Sequence, residues 1–364
     1  MAKTVETNKK FNPKMGKKEL DLLSRLSNAL AVTGDEQEVR AIVYEELKEF
    51  EASMCTDAMG NVLVTREGSG KNRVRVMLAG HMDEIGMMIT REDGDGLFEF
   101  TMIGGVDPRQ LVGKPVIIGR DHVPGVIGAK AIHLTTATER EQELKVDQLR
   151  IDVGLGGSKL VNVGDRATFD TKLTVLGPSL RGKALDDRLG VFTLIQLLKN
   201  APENVDLLVA FTVQEEIGLR GAKVAAYHFD PEIGLALDST PANDLPDYDG
   251  QENTIHNTKL DGGPAIYLMD GATLGDRRVI RWLTEAADAE GIPWQYRQPG
   301  RGGTDAGSIH KTRAGVPSAS VSVPQRYLHS AAGMVRTDDV LNTIKLLHAA
   351  LSRLDKSILS SQEK

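Results

Sequence analysis

The sequence holds 364 residues, 40% of them hydrophobic, and its 44 Lys and Arg against 51 Asp and Glu leave a formal charge of −7. A chain of this length is expected to form a main domain and a smaller second one, and an acidic balance argues against a nucleic-acid or anionic-membrane surface, which needs clustered cations. Cys55 is the sole cysteine, which excludes a disulfide framework and a cysteine-built zinc site.

Residues 1–20 are polar and Lys-rich, and no apolar run approaches the ~20 residues of a membrane span. The expectation is a cytoplasmic protein acting on a small or peptidic substrate. Leu20, Leu22, Leu23, Leu26 and Leu30 predict a helix over 19–30, and Val39, Ile42, Val43, Leu47 and Phe50 a second over 39–50. The run 74–80 (VRVMLAG) reads as a buried strand that delivers His81. Asp83 lies two residues on and so on the same side of an extended segment. Its carboxylate is placed to accept a hydrogen bond from the second ring nitrogen of His81, which fixes the tautomer of a metal-ligating imidazole.

From 91 to 177 the pattern changes to glycine and short β-branched runs (KPVIIG, GVIGAKAI, QLRIDVG), with turn signals at Gly94, Gly96 and Pro108 and no convincing amphipathic helix. This predicts a small β-rich domain, 91–177, inserted into an α/β domain formed by 1–90 and 178–364. Asp186 and Asp187 then open a helix predicted over 187–198. Asp is a favoured N-cap, but two adjacent acids cannot both cap one helix, and the other is free to bridge two cations. The strand 205–213 (VDLLVAFTV) ends at Glu215 and Glu216, carboxylates that repel at a buried edge unless cations or protons compensate. The functional division makes Glu216 a metal ligand and Glu215 the group that takes a proton from water and passes it to a leaving amine.

The run 233–237 (IGLAL) leads into Asp238, helices are predicted over 276–290 and 338–354, and the strand 316–323 (VPSASVSV) is followed by a short loop carrying His329. Polar groups thus follow four predicted strands at their C-terminal ends, the ligand-binding edge of an open α/β sheet. Strands alternating with helices predict a mixed central sheet flanked by helices. Imidazole nitrogen with carboxylate oxygen suits zinc, cobalt or manganese. Two such ions about 3.5–4 Å apart need one bridging carboxylate and one further residue for the proton of the attacking water. His122, His133, His228, His256, His310 and His348 fall in no ligand-like pattern and are assigned to surface or packing.

AGHMDEIGMMIT from Ala79, GKALDDRLG from Gly182, QEEIGLRGA from Gln214, ALDST from Ala236, GPAIYLMDG from Gly263, GGTDAGSIH from Gly302 and VPQRYLHS from Val323 occur in that order. In these blocks the chain resembles metallopeptidase family 42, aminopeptidases that assemble into tetrahedral particles. The resemblance implies a zinc-peptidase type α/β fold with an inserted dimerisation domain. It also implies two divalent ions per subunit, zinc first, with cobalt or manganese suited. His81 and Asp238 would hold one ion, Glu216 and His329 the other, and Asp186 would bridge. Glu215 would be the general base and acid, with Asp83 orienting His81. Thr304, Asp305 and Arg326 would lie near substrate, although Arg326 also reads as a structural partner for a nearby carboxylate. The implied activity is removal of N-terminal residues from short peptides by a homo-oligomer, a dodecamer built from dimers. A carboxypeptidase or N-acyl amino acid deacylase would share the ligand set; a two-carboxylate glycosidase would not need the histidines. The segment 241–258 (PANDLPDYDGQENTIHNT) is more polar and acidic than the family pattern, so the pocket wall does not transfer.

Overall fold

The computed structural model describes residues 11–70, 73–246 and 257–360. Residues 1–10 of the expected α/β domain, His256 and most of the acidic 241–258 segment lie outside these. The backbone of the molecule is an eight-stranded mixed sheet. Its order is Met54–Thr56, Val62–Arg66, Val205–Thr212, Val74–His81, Ile233–Pro241, Ser318–Gln325, Ala265–Tyr267 and Gln295–Arg297. The four middle strands run parallel to one another. They are covered on both faces, which is why they read as near-continuous apolar runs. Along the His81 strand, Val76 and Leu78 enter one core with Leu22, Leu26 and Leu189, whereas Met77 and Ala79 enter the other with Ala222, Ala225 and Ala226.

Helices Lys17–Asn28, Leu185–Lys199, Arg277–Glu290 and Thr337–Ser352 cover the first face, and Arg220–Phe229 with Ala306–Ile309 the second. The Arg220–Phe229 helix carries no strong sequence signal, because the face it buries is built from Gly221, Ala222, Ala225 and Ala226, with Phe229 as its only large member. The helix expected over 39–50 is divided: an α-helix, Gln37–Glu46, gives way to a 3-10 turn, Lys48–Ser53, in which Phe50 N–H donates to the Leu47 carbonyl at 2.7 Å.

Strands Gly86–Glu92, Leu97–Ile103, Leu149–Asp152, Val123–Ala129, Pro115–Ile118 and Arg166–Phe169, in that spatial order, close into a barrel with a core of its own, including Met87, Ile89, Phe98, Phe100, Ile127, Ile151 and Phe169. The expected insert, 91–177, and the barrel strands do not begin and end at the same residues. Residue 91 falls inside the first barrel strand, whose inward residues begin at Met87. Residue 177 falls in the turn joining two strands of a separate three-stranded sheet, Thr174–Leu176, Ser179–Gly182 and Gly333–Arg336. The barrel segment also holds one short helix, Ala137–Glu141, fixed by reciprocal hydrogen bonds between Thr136 and Glu139 and wholly exposed, so it shows no apolar periodicity.

Candidate metal centre

The parallel strands bring the predicted donors to one edge of the sheet. His81 is the last residue of its strand, paired with Thr212, and Glu215 and Glu216 follow Thr212 in the next turn. Asp238 sits inside its strand rather than after it. The pairing with the neighbouring strand continues from Asp238 opposite Ser322 to Pro241 opposite Gln325, so the Ser239-Thr240-Pro241 sequence extends instead of turning. His329 arrives on the loop after Ser318–Gln325, and Asp186 at the start of Leu185–Lys199, where the Asp186–Asp187 peptide is cis.

The donors form two triads with one member in common: His81, Asp186 and Asp238, and Asp186, Glu216 and His329. Asp186 turns a different oxygen to each. Its Oδ1 lies 3.3 Å from His81 Nε2 and its Oδ2 lies 3.4 Å from His329 Nε2. His81 Nε2 is 3.9 Å from Asp238 Oδ1, and His329 Nε2 is 3.4 Å from Glu216 Oε2. Asp187, fully buried, has the capping role. Its Oδ1 accepts from Gly190 N–H at 2.8 Å and its Oδ2 from His81 N–H at 3.2 Å.

Protonation behaviour reports the crowding. Burial and the charges of Glu216, Asp305 and Asp83 push Glu215 well above the usual carboxylate range. Burial and the charge of Asp186 do the same to Asp238 and lift Glu216 to about 7. Burial works against ionisation of Asp186 too, but the close approach of the His329 and His81 rings holds it low. Burial alone would lower both imidazoles. Contacts with Asp186 and Asp83 instead raise His81 well above its ordinary value, and those with Asp186 and Glu216 raise His329 to about 9. The shifts favour protons on both imidazoles and on the crowded carboxylates, a compensation of charge that divalent cations supply at such a site. The donor set fits them: Asp186 Oδ1 and Glu216 Oε1 are buried without a hydrogen-bond partner.

Asp83 reaches further than an orienting carboxylate. His81 Nδ1 faces the Asp83 backbone carbonyl at 3.1 Å, closer than its carboxylate at 3.5 Å. The side chain instead holds the neighbouring turn, accepting from Glu215 N–H at 3.1 Å, Glu216 N–H at 3.3 Å and Thr33 Oγ1 at 2.7 Å.

A cavity of about 430 Å³ opens over the cluster, lined by His81, Asp186, Glu215, Glu216, Asp238 and His329 on one side and by Tyr267, Arg297, Arg301 and Leu328 among others. None of the three residues expected near substrate lines it. Thr304 is buried and shares a 2.6 Å hydrogen bond with Ser320. Asp305 is buried and accepts from Thr212 Oγ1 at 2.5 Å. Arg326 takes the structural alternative, donating to Asp244 at 2.6 Å. The wall residues that sequence reading missed are Arg297 and Arg301. Arg297 is buried, lies 4.5 Å over the Tyr267 ring and donates to the Arg301 carbonyl at 3.0 Å.

The chain matches the family model described as M42 glutamyl aminopeptidase over residues 60–346. The chain belongs to this family. One relative, a putative aminopeptidase of Acetivibrio thermocellus, is 35% identical over 336 residues, covering 91% of this chain and 98% of the relative. Among solved structures, an aminopeptidase from the archaeon Desulfurococcus kamchatkensis shares the fold at a TM-score of 0.89 and 33% identity, covering 95% of this chain and 98% of its own. The TET1 peptidase of Pyrococcus horikoshii does so at 0.80 and 31%, covering 92% and 100%, and can assemble into a tetrahedron or a large octahedral shell. As an M42 family member the protein is a metal-dependent aminopeptidase, a hydrolase of peptides with divalent metal ions at its centre. The carboxypeptidase, deacylase and glycosidase alternatives are thereby set aside. No helix among the described residues is long and apolar enough to cross a membrane.

Proposed function

We propose that the protein removes N-terminal residues from short peptides with two divalent cations per subunit, His81 and Asp238 holding one, Glu216 and His329 the other, and Asp186 bridging. The observation that carries this reading is the division of Asp186 between the triads, one oxygen toward each imidazole at 3.3 and 3.4 Å. Zinc leads the candidate ions, with cobalt or manganese suited to the same nitrogen and oxygen donors. When bound, such ions supply Lewis acidity that activates water and polarises the scissile carbonyl. Glu215 lines the cavity beside the donors and is itself in neither triad. It takes the proton of the attacking water and delivers it to the leaving amine nitrogen. Asp83 keeps Glu215 in place through the backbone of its turn. The free amine of the substrate meets a carboxylate of the cluster, which confines hydrolysis to the first peptide bond.

The α/β unit carries the chemistry and the inserted barrel serves self-association, in a dodecamer built from dimers and located in the cytoplasm. Support for the barrel's part is its apolar surface: Ile132, Leu134, Leu155, Leu160 and Val163 are all more than half exposed, Leu155 by 92%. The test of the activity is a panel of amino-acid chromogenic amides, with free and with blocked N-termini, assayed after chelation and reloading with each metal. Activity confined to free N-termini and dependent on added metal is expected; equal hydrolysis of blocked substrates would overturn the aminopeptidase mechanism.

A further inference from the structure

The two imidazoles of the metal cluster are tethered in the same manner but by different parts of the molecule. Each turns Nε2 toward Asp186 and Nδ1 toward a backbone carbonyl. For His81 that carbonyl belongs to Asp83, two residues along its own chain. For His329 it belongs to Gly105, 224 residues away and 2.9 Å from Nδ1, on the segment that follows the barrel strand Leu97–Ile103. A ligating imidazole whose second nitrogen donates to a fixed acceptor has its tautomer and ring plane set in advance.

Two further contacts bind the second triad to the barrel. Gly104 has φ +80, and a Cβ built there would lie 2.6 Å from Ile85 Cγ2 and 3.2 Å from Oε2 of Glu216, the other unshared ligand of the His329 triad. Glycine is therefore required there both by backbone conformation and by space. Ala331, two residues past His329, is buried in the barrel core with Ile85, Met87 and Phe169. The contacts of Gly104 and Gly105 fall on Glu216 and His329, whereas His81 takes its Nδ1 partner from Asp83 and rides, with Asp186 and Asp238, on elements of the α/β layers.

We infer that the Gly104–Gly105 segment of the barrel is a positioning element of the metal centre, acting on the Asp186–Glu216–His329 triad and not on the His81–Asp186–Asp238 triad. This rests on the reading of both triads as ion sites. A domain inserted for association thus also completes one half of the site, so metal occupancy depends on how the barrel sits against the sheet.

The experiment is calorimetric titration of the chelator-stripped full chain with zinc alone, with no peptide present. Wild type should show two binding events per subunit; if it does not, the two-ion reading fails before the variants are compared. Gly104→Ala pushes the segment off its contacts. Gly105→Val, whose Cβ would start 3.8 Å from His329 Nδ1 and at a residue without positive φ, crowds the ring directly. In either variant one event should keep its wild-type affinity and the other should weaken by about 10- to 100-fold. Gly113→Ala, another barrel glycine with φ +74 but nothing within 4 Å of a built Cβ, carries the same backbone penalty and should titrate as wild type. The inference is overturned if both events weaken together, if neither changes in a folded Gly104→Ala or Gly105→Val protein, or if Gly113→Ala reproduces the selective loss.

Discussion

Asp186 and Asp187 are chemically identical neighbours driven in opposite directions by what surrounds them. Asp186 is held low because two imidazoles outweigh its burial, whereas burial and the charge of Asp186 hold Asp187 well above the carboxylate range. Asp186→Ala should abolish binding of both ions, because it removes the donor common to the two triads. Asp187→Ala should cost about 0.5–2 kcal/mol through loss of a helix cap, read by urea denaturation of the metal-free protein. Equal metal loss with no change in stability would reverse the two roles. The raised histidines carry a pH consequence with a definite sign. In the metal-free protein His329 keeps a proton below about 9 and Glu216 below about 7. A cation must displace those protons, so its affinity should fall as pH falls from 9 and fall more steeply below 7. Zinc dissociation constants at pH 6, 7 and 8 check this, and a flat profile would contradict it. The cluster was legible in the sequence because its members are polar groups set at the ends of apolar runs. Adjacency could not separate Asp186 from Asp187; only Gly190 and His81 N–H groups, brought up by the fold, do so.

Between elements, the site is held by hydrogen bonds that cross the sheet edge and the barrel junction. Glu84, next to Asp83, is buried, with Oε1 accepting from Ala31 N–H at 3.1 Å, Lys183 Nζ at 2.8 Å and Arg188 at 3.1 Å, and Oε2 from Thr168 of the barrel at 2.7 Å. Lys183 and Arg188 flank Asp186 in sequence, so one carboxylate clamps the end of the His81 strand, the start of the Leu185–Lys199 helix and the barrel wall together. Burial lowers the Lys183 amine to about 8. Glu84→Gln would leave two buried cations facing an amide and should destabilise the fold by about 3–5 kcal/mol, measured by urea denaturation with metal removed. A change under 1 kcal/mol would show the cluster to be solvated or dispensable. Sequence patterning located the central strands because both their faces are buried. It did not find the clamp, whose charges lie within the same polar blocks as the metal candidates, nor the end of the Asp238 strand, which its neighbour's backbone sets. The Arg297 wall was equally out of reach, since it comes from a short edge strand whose place in the sheet is decided by tertiary pairing.

For the whole molecule, the α/β layers and the barrel meet at the candidate metal centre, and each has its own core while Leu155, Val163 and other apolar residues of the insert stay exposed. Burying that surface between copies is the expected use of it. Native mass spectrometry should show a dodecamer, and a stable monomer or dimer would remove the dodecamer from the proposal. Whether copies assemble could not be read from composition, because exposed Leu and Val residues in the insert look like core residues until the barrel is closed. The central claim concerns the division of labour in one subunit: Asp186 shared by two ions and Glu215 left free to move a proton. Its most direct test is metal content and peptide turnover measured on the same preparation of Glu215→Gln. The account predicts two ions per subunit, as in wild type, with kcat reduced about 100- to 10,000-fold. A fully loaded Glu215→Gln protein that still turned over at the wild-type rate would contradict it.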